Sequence, residues 1–155
     1  MLRLIKLVAL GMFFLMSCNN ATDKIPIVDS GIIELWDNGQ PRVVWVYGLS
    51  NGEKVAIREI QYFASGAKSM EGSLLDEKRH GEWKSWYEDG NLWSEGSFRE
   101  GRRHGKGIVY HSNGIKFIEG TYLNGQRVGT WLWYDKEGNV ISEAEGLSIA
   151  PDIHQ

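Results

Sequence analysis

The sequence predicts an all-β fold: an elongated single-sheet antiparallel meander of about ten strands, built from 24-residue β-hairpin repeats. Glycines and aromatics recur at a fixed step of 24 residues, which indicates one small unit copied along the chain. From position 66 onward, turns alternate at spacings of 11 and 13 residues, so each repeat holds two strands. The recurring columns are Gly66, Gly90, Gly114 and Gly138; Gly72, Gly96 and Gly120; Gly81, Gly105 and Gly129; and Tyr62, Trp86, Tyr110 and Tyr134.

The turns punctuate the whole chain beyond its first 37 residues. Asn-Gly and Asp-Gly pairs tolerate the positive φ that tight hairpin turns require. In order, the turn pairs are Asn38-Gly39, Asn51-Gly52, Ser65-Gly66, Asp89-Gly90, Glu100-Gly101, Asn113-Gly114, Asn124-Gly125 and Glu137-Gly138, with Asp76-Glu77 in the one slot that lacks glycine.

The segments between these turns are aromatic or β-branched, as strands require. Strands are predicted at 83–87, 92–98, 108–111, 115–122, 131–134 and 139–144, and a looser copy at 32–62 adds the remainder. Outside the N-terminal segment no window has a sustained helical period, so no helix is predicted there.

The N-terminus belongs to a different class of segment. Arg3 and Lys6 precede a ten-residue apolar run, which is too short to span a bilayer and is typical of a secretory signal. The prediction divides the chain into a signal peptide (1–17), a tether (18–30), a repeat domain (31–146) and a C-terminal tail (147–155). Within the repeat domain, 31–60 is a degenerate copy and 61–146 holds the clear copies.

The sequence Leu15-Met16-Ser17-Cys18 resembles the lipobox of bacterial lipoproteins. The resemblance implies that Cys18 is acylated and becomes the new N-terminus, which would anchor the protein in the bacterial cell envelope. Asn19 is not the aspartate that retains lipoproteins in the inner membrane of enteric bacteria, so the outer membrane is favoured. The alternative is an ordinary signal peptide with an incidental cysteine.

Composition limits the functional classes. The chain has 155 residues, of which 12% are aromatic, so it is not a disordered chain. Its formal net charge of -3 gives no reason to expect a nucleic-acid partner. Nucleophile triads, Walker loops and dinucleotide motifs are absent from the sequence, so we expect no enzyme, cofactor or small-molecule substrate.

The segment GSFREGRRHGKG (96–107) resembles a MORN repeat, whose core is G-x-aromatic-x-x-G-x-x-H-G-x-G. The flanking copies keep the frame, although Val128 replaces the histidine and Glu77 replaces a glycine. Their G-x-W endings, at 81–83 and 129–131, are similar to the bacterial MORN variant of YwqK-type antitoxins. The resemblance covers residues 60–146 well and 31–59 loosely.

What the resemblance implies is a binding role. We expect a non-enzymatic scaffold that presents an elongated surface to a protein partner. The antitoxin-like repeats imply a narrower alternative, neutralisation of a toxin by direct binding. Eukaryotic MORN proteins suggest a third reading, binding of anionic lipid.

Three columns of polar residues are candidate sites. His80 and His104 are too few and too far apart for a zinc site, at about 9–10 Å for positions two strands apart, so turn histidines bonded to backbone are predicted. The second column is Glu71, Glu95, Glu119 and Glu143. Because the repeat gives each glutamate the same surroundings, an exposed row paired with basic residues is predicted rather than a catalytic pair.

The third column is the strongest candidate for binding. Arg79, Arg103 and Arg127 follow the same class of turn and are predicted to line one edge of the sheet. Arginines so placed can bind carboxylate or phosphate with two hydrogen bonds, or can be solvated turn residues that keep the edge soluble. The full predicted partner-binding set is Arg79, Arg103, Arg127, Lys78, Arg102, Trp83, Trp86, Trp93, Tyr110, Trp131 and Tyr134. The aromatics of this set are predicted to share a groove.

The glycines at 72, 96 and 120 fall inside strands, where glycine usually signals close approach by another group. We expect them to leave room for aromatics of the adjacent hairpin, such as Trp86, Tyr110 and Tyr134.

Overall fold

A computed structural model describes residues 25–150 and confirms the all-β prediction. Ten antiparallel strands form one open sheet in which each strand pairs with its neighbours in sequence. The strands are β1 Ile27–Leu35, β2 Pro41–Ser50, β3 Glu53–Tyr62, β4 Lys68–Leu75, β5 Lys78–Trp86, β6 Leu92–Arg99, β7 Arg102–Tyr110, β8 Lys116–Leu123, β9 Gln126–Tyr134 and β10 Val140–Ile141, followed by helix α1 Glu143–Ser148. The predicted signal peptide and Cys18 lie outside the described residues.

Two kinds of turn alternate along the meander. The tighter kind has two central residues that both adopt positive φ, as in Asn124 (51°) and Gly125 (91°). Such mirror-image turns match the twist of the strands they join. In the other kind, the glycine amide closes a four-residue turn, as from Gly114 to the carbonyl of His111 at 2.9 Å.

Hydrogen bonds join successive repeats along both edges of the sheet where the turns lie. At the tight turns, the amide of Gly101 donates to the carbonyl of Arg79, and that of Gly125 donates to Arg103 at 2.7 Å. At the opposite edge, the hydroxyl of Tyr87 donates to the carbonyl of Tyr110 at 2.7 Å. These bonds satisfy backbone groups at the strand ends, which would otherwise be left to water.

The buried residues form two small clusters. One contains Ala56, Leu74 and Trp83, and the other contains Phe117, Ile118 and Trp133. Phe117 and Ile118 are consecutive and both buried because the pairing of β7 with β8 skips Phe117, a β-bulge that interrupts strict alternation. A single sheet with so little fully enclosed volume leaves most side chains partly accessible.

The boundaries differ from prediction at both ends. β1 begins at Ile27, inside the segment assigned to the tether, rather than at residue 31. The prediction of a strand over 139–144 and of no C-terminal helix is wrong: β10 has two residues, and α1 follows. The cause is a capping box, in which Ser142 and Glu145 exchange hydrogen bonds at the first turn of α1. The helix has too few residues to show a period in the sequence.

The expected partners of the strand glycines are also wrong. A Cβ on Gly72 would lie 2.2 Å from the ring of Trp83, and one on Gly120 would lie 2.2 Å from Trp131. The aromatic therefore comes from the facing strand of the same hairpin, because cross-strand neighbours share a face of the sheet. A Cβ on Gly96 would have a backbone oxygen as its nearest atom, at 3.4 Å. No aromatic ring of the described residues therefore occupies the space beside this glycine.

Candidate binding surface

Arginine and aromatic side chains lie together in one row across strands β5 to β9. We call this row the arginine–aromatic stripe; it consists of Arg79, Trp83, Phe98, Arg103, Tyr122, Arg127 and Trp131. In the register of the sheet, Phe98 pairs with Arg103, and Tyr122 pairs with Arg127. Each arginine after the first thus faces an aromatic residue directly across its tight turn.

The guanidinium groups of the stripe lie over aromatic rings. That of Arg79 is 4.2 Å from the centroid of Trp83, and that of Arg127 is 4.4 Å from Trp131. Arg103 sits between two rings, 5.4 Å from both Phe98 and Tyr122. These distances fall within the range of cation–π attraction.

The rings themselves are packed edge to face. Trp83 and Phe98 are 5.9 Å apart between centroids, and Tyr122 and Trp131 are 4.9 Å apart. Such aromatic pairs add about 0.5–1.5 kcal/mol beyond the area that they bury. The rings of the stripe therefore form two edge-to-face pairs, and the three arginines lie over them.

The three arginines differ in their acidic partners. Arg79 has a weak ion pair with Glu59, with Nη2 and Oε1 3.6 Å apart. Within residues 25–150, Arg103 and Arg127 form no ion pair, and both are exposed. Stacking uses the flat face of a guanidinium and leaves its in-plane N–H donors available. The stripe thus holds two guanidinium groups without a carboxylate.

The structure separates the remaining predicted binding residues. Lys78 and Arg102 are exposed first residues of β5 and β7, adjacent to stripe arginines but not stacked. The predicted aromatic residues do not share one groove. Strand alternation places Trp86 on the opposite face from Trp83, where Lys68 lies 5.1 Å above its ring.

Trp93 lies close to Tyr87, with ring centroids 6.5 Å apart. It is the residue skipped in the pairing of β5 with β6, so it occupies a bulge. Tyr110 and Tyr134 point their hydroxyls at glutamates, as described next.

The glutamate column forms a second surface, on the face opposite the stripe. The hydroxyl of Tyr134 donates to Glu119 at 2.7 Å, and Lys106 and Lys116 each place Nζ 3.0 Å from Oε2 of the same carboxylate. The side chain of Glu119 is only 15% exposed. The hydrogen bond from Tyr134, then those from the two lysines, lower the pKa of Glu119 to about 2.

The other glutamates of the column have different surroundings. Tyr110 donates to Glu95 at 2.7 Å, and burial followed by that hydrogen bond raises the pKa of Tyr110 to about 12. Glu71 pairs with Lys68 at 2.9 Å, whereas Glu143 begins helix α1 and leaves the column. Pairing with basic residues is confirmed for Glu71 and Glu119, but the prediction of an exposed row with uniform surroundings is wrong.

A shallow pocket opens on this opposite face between β5, β6 and β7. Its charged lining residues are Glu82, Lys84, Glu95 and Lys106. Lys84 is the cross-strand neighbour of both Glu71 and Glu95. The alternating signs neutralise one another, so this face offers no concentrated charge to a ligand.

The two column histidines lie in strands rather than in turns. His80 belongs to β5, and within the described residues its buried Nδ1 has no hydrogen-bond partner. His104 belongs to β7, and its Nδ1 is 3.3 Å from the side-chain oxygen of Asn124. The prediction of turn histidines bonded to backbone is wrong because the tight turns have only two residues, so the strands begin earlier than predicted.

Sequence reasoning missed His111, which is 2% exposed. Its Nε2 is 3.0 Å from the carbonyl oxygen of Tyr134, and its ring packs against Phe117 with centroids 5.0 Å apart. The aligned position holds Tyr87, which makes the same bond to the next repeat. That shared position in the 24-residue frame was the available signal.

No group of three or more His, Cys, Asp or Glu side chains within residues 25–150 is arranged to hold a metal ion. Over the same range, no helix has the length and apolar character needed to cross a membrane.

An open sheet of stacked hairpins with a repeated stripe defines a repeat protein of the solenoid-like class. The family described as "MORN repeat variant" matches three consecutive segments, residues 79–100, 103–124 and 127–145. Residues 79–145 therefore hold three MORN repeats of the variant type. Each matched segment begins at or beside a stripe arginine, so the stripe is a feature of the repeat itself.

Other comparisons add little. No curated protein matches the chain. A chain from the crystal structure of the GtfA/B complex bound to UDP and GlcNAc matches with a TM-score of 0.42 and 13% sequence identity, over 82% of this chain and 27% of that one. The present chain thus spans about a quarter of that structure's length, and so distant a likeness has no bearing on function.

Proposed function

We propose that the protein is a non-enzymatic, lipid-anchored envelope protein that binds another protein through the arginine–aromatic stripe. The observation that carries the proposal is the pair of stacked arginines, Arg103 and Arg127, which have no carboxylate partner within the described residues. Aromatic residues and arginine are the side chains that contribute most to protein–protein binding. Rings that already pack against one another lose little conformational entropy when a partner covers them.

The lipid anchor rests on Cys18, the sole cysteine, at the end of a lipobox-like segment. Acylation at this residue would add more than one lipid chain, which is enough for stable anchoring. Labelling cells with an alkyne fatty acid should mark the wild-type protein and leave Cys18→Ala unlabelled and released from the membrane fraction. A Cys18→Ala protein that stays firmly bound to membranes would refute the anchor.

Photo-cross-linking tests the binding surface. p-Benzoylphenylalanine in place of Tyr122 preserves a ring in the stripe and should capture a protein from living cells. The same group in place of Leu132, an exposed residue in register with Glu119 on the other face, is the matched control and should capture none. Equal capture from both positions, or none from either, would contradict the proposal.

A narrower candidate is an immunity protein that neutralises a toxin by direct binding at the envelope. The G-x-W endings at 81–83 and 129–131 favour it, since they resemble YwqK-type antitoxins. If this candidate is right, the protein captured from Tyr122 will be toxic when produced in cells that lack the present chain. A captured protein that is harmless alone would exclude the immunity role and leave the scaffold role standing.

Binding of anionic lipid by the arginines is the remaining candidate, and the geometry of the sheet disfavours it. Adjacent strands rotate by about 20–25°, so the four steps from β5 to β9 turn the surface by about 80–100°. A flat bilayer therefore cannot meet all three arginines at once.

A further inference from the structure

We propose that the stripe recognises an extended acidic segment of the partner, with a carboxylate at every third residue. This inference rests on the proposed function and deepens it by naming the chemistry of the partner. It follows from three properties of the stripe: the N–H donors that its arginines offer to a ligand, the distance between its arginines, and the lack of an acidic partner for Arg103 and Arg127 within the described residues.

The free N–H donors of the arginines favour carboxylates. A guanidinium over the face of a ring is attracted through its charge, so its N–H groups remain available to a ligand. The guanidinium carbon of Arg127 lies 4.4 Å from the ring centroid of Trp131, so this arginine has such a contact. Two parallel hydrogen bonds from one guanidinium match the two oxygens of one carboxylate. Stacking also fixes the long side chain beforehand, so less entropy is lost when the ligand binds.

The distance between the arginines sets the spacing of the ligand. Arg79, Arg103 and Arg127 occupy the same position in β5, β7 and β9. Strands two apart in a sheet are separated by about 9–10 Å. A polyproline II segment rises about 3.1 Å per residue with three residues per turn, so every third side chain lies on one side at intervals of about 9.3 Å. A β-strand ligand does not fit, since its residues three apart point to opposite sides.

The ligand runs across the strands, parallel to the stripe. Arg103 and Arg127 supply its main contacts because neither has an acidic partner within residues 25–150. Arg79 is already shared with Glu59 at 3.6 Å, so it binds a third carboxylate more weakly. A single extended chain can follow the twist of the sheet by rotating about its own axis, which a bilayer cannot do.

Peptides of matched composition test the spacing. One ten-residue peptide has glutamate at positions 1, 4, 7 and 10 and proline or alanine elsewhere. Its control has the same residues with the four glutamates consecutive, so that net charge and length are unchanged. We expect the full-length chain, purified in a non-ionic detergent, to bind the spaced peptide at least tenfold more tightly by fluorescence anisotropy. Equal affinity for the two peptides would overturn the inference.

Variants test the residues. Arg103→Gln and Arg127→Gln should each weaken binding of the spaced peptide about tenfold, whereas Arg99→Gln, at the exposed last residue of β6 and outside the stripe, should change it less than twofold. Arg127→Lys keeps the charge and loses the two-pronged geometry, so it should resemble Arg127→Gln. Similar losses in Arg99→Gln and Arg103→Gln would show simple charge attraction and overturn the inference. Circular dichroism and thermal melting of each variant exclude unfolding as the cause.

The outcomes separate this inference from the function on which it rests. Capture of a protein from Tyr122 together with failure of the spaced peptide leaves the scaffold role standing and removes the acidic segment. Binding to vesicles of phosphatidylglycerol that needs Arg103 and Arg127, without binding to either peptide and without capture of a protein from Tyr122, would replace the peptide by a lipid surface and would overturn both.

Discussion

The hydroxyl of Tyr134 donates a 2.7 Å hydrogen bond to the carboxylate of Glu119 on the neighbouring strand. One repeat earlier, Tyr110 makes the same 2.7 Å bond to Glu95. In the repeat before that, the tyrosine position holds Trp86, and Glu71 accepts a hydrogen bond from Lys68 instead. A change of one residue between repeats therefore changes the hydrogen-bond donor that the glutamate of that repeat accepts from.

Glu119→Gln should make the stability of the protein less dependent on acid. The folded-state pKa of Glu119 is about 2, below its ordinary 4.5, so its ionised form stabilises the fold fully above pH 4.5. That stabilisation is lost as the pH falls from 4.5 towards 2. Urea melts at several pH values should show the variant less stable at pH 7 and equal to wild type near pH 2.

Glu71→Gln is the matched control for this prediction. It removes a carboxylate of the same column that, within the described residues, accepts a hydrogen bond from one lysine. The side chain of Glu71 is 29% exposed, against 15% for Glu119. An exposed ion pair contributes about 0–1 kcal/mol, so the variant should be close to wild type at every pH. A constant gap between Glu119→Gln and wild type from pH 7 to pH 2 would contradict the assignment.

Gly120→Ala should destabilise the fold, because the added Cβ would lie 2.2 Å from the ring of Trp131. Overpacking of this kind costs about 1–3 kcal/mol. Gly96→Ala, at the same position one repeat earlier, places its Cβ 3.4 Å from a backbone oxygen and should cost less. Denaturant melts compare the two, and equal losses would mean that the ring position does not determine the need for glycine.

The 24-residue period predicted the sheet, the number of strands and the order of pairing, because each of these follows from the number and spacing of turns. It also placed Arg79, Arg103 and Arg127 at one equivalent position. What it could not supply is which face each side chain occupies. Bulges at Trp93 and Phe117 shift the alternation, and a bulge leaves no fixed pattern in sequence.

The period also concealed differences between copies. Trp83 donates its indole N–H to the carbonyl of Ser73 at 3.0 Å, whereas within residues 25–150 the equivalent Trp131 has no partner for that group. The stacking of arginines on rings was likewise invisible, because it depends on the short turns that bring Arg127 opposite Tyr122. Such local geometry is set by packing in three dimensions rather than by residue type.

His111→Ala should destabilise the protein by about 2–4 kcal/mol, the usual range for removing a buried ring and leaving a buried carbonyl unpaired. The side chain is 2% exposed and joins two repeats through the carbonyl of Tyr134. His104→Ala, which removes a more exposed ring and a 3.3 Å contact, should cost less than 1 kcal/mol by the same reasoning. Thermal melts of the two variants measure the loss of stability, and a larger loss for His104→Ala than for His111→Ala would contradict this account.

Truncation before Glu143 should make the protein less stable and more prone to self-association. Helix α1 covers the end of the sheet, with the backbone of Gly146 so close to Trp133 that a Cβ there would lie 2.3 Å from the ring. Without the helix, the ring of Trp133 meets solvent beside the part of β9 that the short β10 leaves unpaired, and exposed strand edges pair with other chains. Ser142→Ala, which removes only the capping box, should cost about 1 kcal/mol and should not promote association. Light scattering over a range of protein concentrations distinguishes the two variants, and a truncated chain with the same mass as the full chain throughout would show that α1 does not protect this edge.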